Sequence, residues 1–184
     1  MTYYDNEDAR RREFVHAVKN CRTVKFGNYY GQDGRAAALG VSRRRRWMAS
    51  YFAGALLVPV PPSGKGVDVD IDDLWSGRDL ASLFAEAYGG SWRSLLHRHT
   101  PIEKSSKGIQ RTLRRHIESI AVTDSIPDCR IILVDDVVAS GSTMCACAEL
   151  LWRADARARV HGFAVAYRPG NEERLCNFAT RQYE

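Results

Sequence analysis

The chain has 184 residues and 45% hydrophobic content, enough for one α/β domain with a sizeable core. Its formal charge is +5, from 27 basic and 22 acidic side chains. That mild excess suits a polyanionic small molecule, is compatible with weak nucleic-acid binding, and decides neither. No stretch approaches the length of a membrane span, so no membrane partner is expected. The polar, acidic start does not read as a secretory signal, which makes a cytoplasmic protein the expectation. The five cysteines form no C-x-x-C pair, and Cys145 and Cys147 point to different sides of a predicted helix. A zinc site or a disulfide framework is therefore not expected.

In chain order, residues 4–20 predict a charged amphipathic helix with Phe14, Val15 and Val18 on its apolar side. Residues 23–26 predict a short strand, and 27–34 a turn-rich stretch carrying Tyr29 and Tyr30. Residues 35–54 predict a second helix, or two pieces broken near Gly40. This segment holds Arg43, Arg44, Arg45 and Arg46, followed by Trp47, Tyr51 and Phe52. Arginines beside aromatics can grip phosphates and stack on bases. The small charge excess favours instead a solvated helix face around a buried Trp47 and Phe52. Four consecutive helical residues span all sides, so at least one of these arginines should lie near the body of the protein.

Residues 56–61 predict a buried strand that runs into Pro62, Ser63, Gly64, Lys65 and Gly66. Asp68, Asp70, Asp72 and Asp73 follow; they lack the glycine and terminal glutamate of a calcium loop and read as a solvated acidic loop. Residues 74–88 predict an amphipathic helix with Leu80, Leu83, Phe84 and Ala87 as a core stripe, ended by Gly89 and Gly90. Residues 91–99 predict a short strand around Leu95 and Leu96; His97 and His99 lack a third ligand and read as ordinary polar residues. Residues 100–118 turn basic, the first half with loop composition and the second half helical. Residues 119–123 predict a strand and 159–167 a final core strand, where Tyr167 could stack on a flat acceptor. Phe178 and Tyr183 are candidate anchors for a short polar tail.

The most informative stretch is 131–143. Ile131, Ile132, Leu133 and Val134 read as a strand buried on both faces, with Asp135 and Asp136 where it should end. A loop of small residues, Ala139, Ser140, Gly141, Ser142 and Thr143, leads into a helix over 142–153, with Ser142 as its N-cap. Strand, small-residue loop and helix bring backbone N–H groups and a positive helix end against an anion. The two carboxylates are acceptors, suited to sugar hydroxyls or a hydrated metal ion. Strands separated by helical stretches imply a doubly wound, mostly parallel α/β sheet. The chain reads as a single domain, with a helical cap over 1–55, an α/β core over 56–168 and a tail over 169–184.

This stretch resembles the phosphoribosyl-pyrophosphate (PRPP) signature of type I phosphoribosyltransferases. The resemblance implies that Asp135 and Asp136 hold the ribose 2′- and 3′-hydroxyls, while Ala139, Ser140, Gly141, Ser142 and Thr143 bind the 5′-phosphate. It assigns Ser63, Gly64, Lys65 and Gly66 to a pyrophosphate loop, and Lys104, Lys107 and Arg111 to a mobile flap. It places an acceptor-recognition hood in residues 1–55, and it implies Mg²⁺ without a direct protein ligand and a small-molecule acceptor, usually attacking through nitrogen. From residue 56 to about 168 the chain is more closely similar to the ComF-like subgroup. The shared positions are the Pro-Val-Pro strand end, Arg78, Leu80 and Ala81, Thr100, Pro101, Gln110, Leu113, Arg114 and Arg115. It departs from that subgroup in lacking a cysteine-rich zinc element before Leu56 and in carrying Asp-Leu-Trp-Ser-Gly where Arg-Gly-Phe-Asn-Gln is usual. The rival reading is a non-catalytic PRPP or nucleotide sensor, or a DNA-associated accessory protein; a homodimer is compatible with either.

Overall fold

In the computed structural model of the chain, the described residues are 2–3, 9–25, 27–63, 75–102 and 113–167. Their elements, in chain order, are β1 (Thr2–Tyr3), α1 (Ala9–Lys19), a 3-10 turn (Gly27–Tyr29), α2 (Gly34–Arg43), α3 (Trp47–Phe52) and β2 (Leu56–Pro59). There follow α4 (Ser76–Tyr88), β3 (Ser91–Trp92), β4 (Leu96–Arg98), α5 (Leu113–Ser119), β5 (Ile120–Val122), β6 (Arg130–Val138), α6 (Ser142–Ala154) and β7 (Arg159–Tyr167). Five strands form one sheet in the order β1-β7-β6-β2-β3, every pair parallel. The expected mostly parallel α/β sheet with flanking helices is thus the fold.

Alternation along β6 divides the core. Ile132 and Val134 face one side, with Phe14 and Val18 of α1, Ala37 of α2, and Leu80 and Phe84 of α4. Ile131 and Leu133 face the other, with Leu151 and Trp152 of α6 and Leu95, Leu96 and Ile120. All four β6 residues are fully buried, as a strand covered on both faces requires. Helix α4 ends at Gly89, whose φ of 70° gives the left-handed turn that a β-carbon would strain. The α1–α2 hairpin closes on Gly34. A β-carbon there would stand 2.4 Å from the carbonyl carbon of Ala17. Gly34→Ala is expected to force the two helices apart and lower stability by about 1–3 kcal/mol, read as a lower urea midpoint at unchanged m-value.

Several expectations are corrected. Residues 23–25 form no strand; Thr23 makes a single bridge to Asp33, because Val24 N–H donates to Gln32 O (2.8 Å) and Gly31 N–H to Val24 O (2.8 Å), closing the segment on itself. The helix after residue 34 breaks at 44–46 instead of at Gly40, which packs beneath Tyr29 with 2.8 Å between its would-be β-carbon and Tyr29 Cε1. The chain turns instead within the arginine run, between the end of α2 at Arg43 and the start of α3 at Trp47. All four arginines are exposed, and Arg44 lies 5.4 Å from the Tyr29 ring centroid. Trp47 opens α3 and is 52% exposed, while Met48 and Phe52 take the buried positions. Leu96, His97 and Arg98 join Val122, Ala121 and Ile120 in a separate antiparallel pair rather than the main sheet. Cys21, Cys129 and Cys147 are free thiols. Cys145 is disulfide-bonded, against expectation. Among the described residues no helix is long and apolar enough to cross a membrane.

Candidate active site

Strands β2 and β6 are parallel neighbours with Pro59 opposite Val134, and Val60 N–H donates to Val134 O at 2.9 Å. Their following loops therefore leave from the same edge of the sheet, where open α/β sheets hold ligands. Strand β6 continues past its apolar run to Val138, because β7 pairs with it up to Tyr167. Both aspartates thus lie inside a strand, and successive side chains point to opposite faces. Asp136 faces α4, where Ser76 Oγ donates to its Oδ2. Asp135 Oδ1 accepts the Asp136 N–H at 2.8 Å. Burial, and then the charge of Asp136, push the Asp135 carboxyl well above the usual carboxylate range; the Asp136 N–H, and after it Lys19, pull the other way.

Beyond Val138, Gly141 takes the N-cap position of α6 with φ 79° and ψ −6°, displacing the expected Ser142 by one residue. A left-handed turn is needed there, and glycine adopts it without a steric penalty. The helix starts without a side-chain cap. Ser140 and Ser142 hydroxyls are 2.9 Å apart, and Ser142 N–H reaches Ser140 Oγ at 3.4 Å. This thirteen-residue helix directs its dipole and its first N–H groups at the end of β6. Ala139 and Ser140 are exposed, and Gly141, Ser142 and Thr143 half-buried, so the loop is reachable by a ligand.

On the β2 side, Ser63 O accepts Ile102 N–H at 2.9 Å. Pro62 O accepts Arg98 Nε at 2.8 Å. Arg98 also donates through Nη1 to Ser119 Oγ, and its Nη2 lies 3.4 Å from His116 Nδ1. His116 Nε2 is in turn 3.4 Å from Thr143 Oγ1. Arg98 and His116, 3% and 0% exposed, therefore connect the strand ends that carry the two loops.

A second polar group adjoins Asp136 on the α1–α2 side. Arg35 donates from Nε and Nη2 to the two Asp33 oxygens, each at 2.8 Å, and from Nη1 to Asp79 Oδ2. Its side chain holds the Asp33 carboxyl below the usual range, and Asp33 caps α2. Cys21, with φ 52°, places its thiol 3.9 Å from Asp79 Oδ2; burial pushes that thiol up.

Gly64, Lys65, Gly66, Lys104, Lys107 and Arg111, and the acids 68–73, lie outside the described residues. Tyr167 is 8% exposed at the end of β7, so it is a packed strand residue and offers no open stacking face. His97 is half-buried and His99 Nδ1 lies 3.0 Å from Thr100 Oγ1. Among the described residues no three His, Cys, Asp or Glu side chains are grouped to hold a metal. Sequence reasoning missed Ser76, Arg98, His116 and the Arg35 clamp. The signal for His116 was its place on the helical stripe Leu113, His116, Ile117; for Arg98, it was the two-residue step from Leu96.

No curated protein matches the sequence. Among solved structures, the chain is similar to adenine phosphoribosyltransferase from Saccharomyces cerevisiae, complexed with an imino-altritol bisphosphate and adenine. The identity is 15% over 73% of this chain and 66% of that one, at TM-score 0.43. The chain thus spans just under two thirds of the yeast enzyme. A further adenine phosphoribosyltransferase is similar at 12% identity over 84% and 89% of the two chains, TM-score 0.45. The Trypanosoma brucei enzyme, in complex with AMP, pyrophosphate and ribose-5-phosphate, is similar at 13% over 98% and 89%, TM-score 0.39. At such identities, function has to be read from the chain's own residues. Residues 100–179, which contain β6, its two aspartates and the start of α6, match the family model of the phosphoribosyl transferase domain.

Proposed function

We propose that this chain transfers the phosphoribosyl group of PRPP to a small nitrogenous acceptor and releases pyrophosphate. The carrying observation is the juxtaposition, at one sheet edge, of the Asp135–Asp136 pair and the uncapped start of α6 behind Gly141. In this reading residues 139–143 cradle the 5′-phosphate with N–H and hydroxyl donors. Asp135 and Asp136 accept the ribose 2′- and 3′-hydroxyls, Asp136 being oriented by Ser76. The loop that begins at Ser63 receives the diphosphate, with Lys65 and the flap residues Lys104, Lys107 and Arg111 supplying positive charge. Held at both ends, the sugar exposes its anomeric carbon in one orientation. The bond from that carbon to the pyrophosphate oxygen breaks, pyrophosphate leaves with the electron pair, and the acceptor nitrogen bonds to the carbon and releases its proton. The two carboxylates stabilise the positive charge that develops on the ribose ring.

The site fits a divalent cation held with the substrate: two adjacent carboxylates, one of them resisting ionisation because of its burial and its neighbour's charge. Asp135 and Asp136 would hold the ribose beside a substrate-held Mg²⁺, whose charge would stabilise the leaving group. The ComF-like resemblance is the finer assignment within this reading; it rests on the Pro-Val-Pro strand end, Arg78, Leu80 and Ala81, Thr100, Pro101, Gln110, Leu113, Arg114 and Arg115.

The test is calorimetric titration of PRPP with and without Mg²⁺, followed by a pyrophosphate-release screen over purine and pyrimidine bases. Micromolar, Mg²⁺-dependent binding and release with at least one base are expected. Binding without release for any base would support the sensor reading, and no binding would sink both.

A further inference from the structure

The buried polar chain between the two loops has a direction. Arg98, 3% exposed, is a guanidinium, which can donate hydrogen bonds and cannot accept them. Its Nη2 faces His116 Nδ1 at 3.4 Å, so that ring nitrogen must present its lone pair. A neutral imidazole with an acceptor at Nδ1 carries its proton on Nε2. That Nε2 faces Thr143 Oγ1 at 3.4 Å. Thr143 Oγ1 then accepts from His116, and its own hydrogen is left to point away from the ring. Thr143 lies in the first turn of α6, where the free backbone N–H groups also point. The imidazole itself cannot reach a ligand, being 0% exposed.

We infer that Arg98 and His116 are positioning residues that fix Thr143 as a hydroxyl donor to an anionic phosphate at the start of α6. The inference rests on the proposed PRPP reading for the identity of that phosphate. Each donor in the chain polarises the next, so the buried Arg98 charge strengthens the terminal hydroxyl without touching substrate. The same guanidinium holds Pro62 O at 2.8 Å, which ties the neighbouring loop to the 5′-phosphate site.

Ribose 5-phosphate is the probe, because it carries the 5′-phosphate and no diphosphate. Its affinity would be measured by calorimetry for wild type, His116→Leu, His116→Gln, Thr143→Val and the His116→Leu/Thr143→Val double variant. His116→Leu is expected to weaken binding about tenfold when Thr143 is present. In the Thr143→Val background the same change should cost less than about twofold, because the residue it acts through is gone. His116→Gln, whose amide N–H can replace the Nε2 donor, should recover most of the loss. Equal losses in both backgrounds, or no rescue by glutamine, would overturn the inference while leaving the PRPP reading intact. Failure of wild type to bind ribose 5-phosphate or PRPP would overturn the PRPP reading, and the inference with it. If His116→Leu does not fold, comparing the glutamine variant in both backgrounds decides: wild-type affinity with Thr143 supports the inference, and a background-independent loss opposes it.

Discussion

Asp135→Asn is expected to bind PRPP about a hundredfold more weakly than wild type while unfolding at a higher temperature. The binding loss follows from the proposed role. A carboxylate accepting a ribose hydroxyl contributes about 3 kcal/mol at the strong end of charged hydrogen bonds, or roughly two decades in affinity. The gain in stability follows from the unliganded site. Burial and the charge of Asp136 both disfavour ionised Asp135, so its pKa is raised in the folded state. The folded protein therefore binds a proton that the unfolded chain has already lost. Stability should fall as pH rises from the usual carboxylate range through the raised value, and remain lower above it. Asparagine keeps an oxygen for the Asp136 N–H, now at 2.8 Å from Asp135 Oδ1, and carries no charge. A gain of about 1 kcal/mol at neutral pH is the expected scale for relieving such a site. Thermal unfolding of both proteins across pH checks it: the curves should converge in acid and separate towards neutral pH. Asp136→Asn should shift the Asp135 titration downwards, although burial keeps it above the usual range. Parallel pH curves for wild type and Asp135→Asn would show that Asp135 is not the group under tension.

That tension was not visible in the residues 131–143 as a string. The apolar run, the small loop and the helix were legible because each has a local signature: β-branched residues, glycine and serine, then a helical stripe. The strand's true end was not. Asp135 to Val138 stay in β6 because β7 runs alongside to Tyr167, a pairing of distant segments. The same pairing buries Tyr167 and removes it as a stacking face. Trp47 was misjudged for a related reason. Its size suggested a core residue, but the break at residues 44–46 changed the helical phase, and Met48 and Phe52 took the interior. Local chemistry could fix that a helix follows the loop. It could not fix which polar residues the packed layers would enclose.

Arg98→Met is expected to lower stability by about 3 kcal/mol, the cost of leaving buried acceptors unpaired. Methionine has a comparable unbranched stem and fills much of the volume, so cavity formation is a small part of the effect. The loss falls on the acceptors of the guanidinium. Pro62 O loses its 2.8 Å partner, His116 Nδ1 loses its donor, and Ser119 Oγ keeps only its own donation to His116 O at 3.0 Å. Ser119 and His116 are 3% and 0% exposed, so water has little access to replace the donors. Arg98→Lys keeps the charge but lacks the fork that reaches several acceptors at once, and should recover only part of the loss. Urea unfolding at constant m-value measures both variants. A change below about 0.5 kcal/mol in Arg98→Met would mean that water or rearranged side chains satisfy these acceptors. The larger loss, with partial recovery by lysine, would make Arg98 a structural post for the loop at Pro62 and Ser63, independent of any ligand. That independence matters for the site: the two loops would be held at a fixed spacing before substrate arrives, and the ordering cost of binding would fall accordingly.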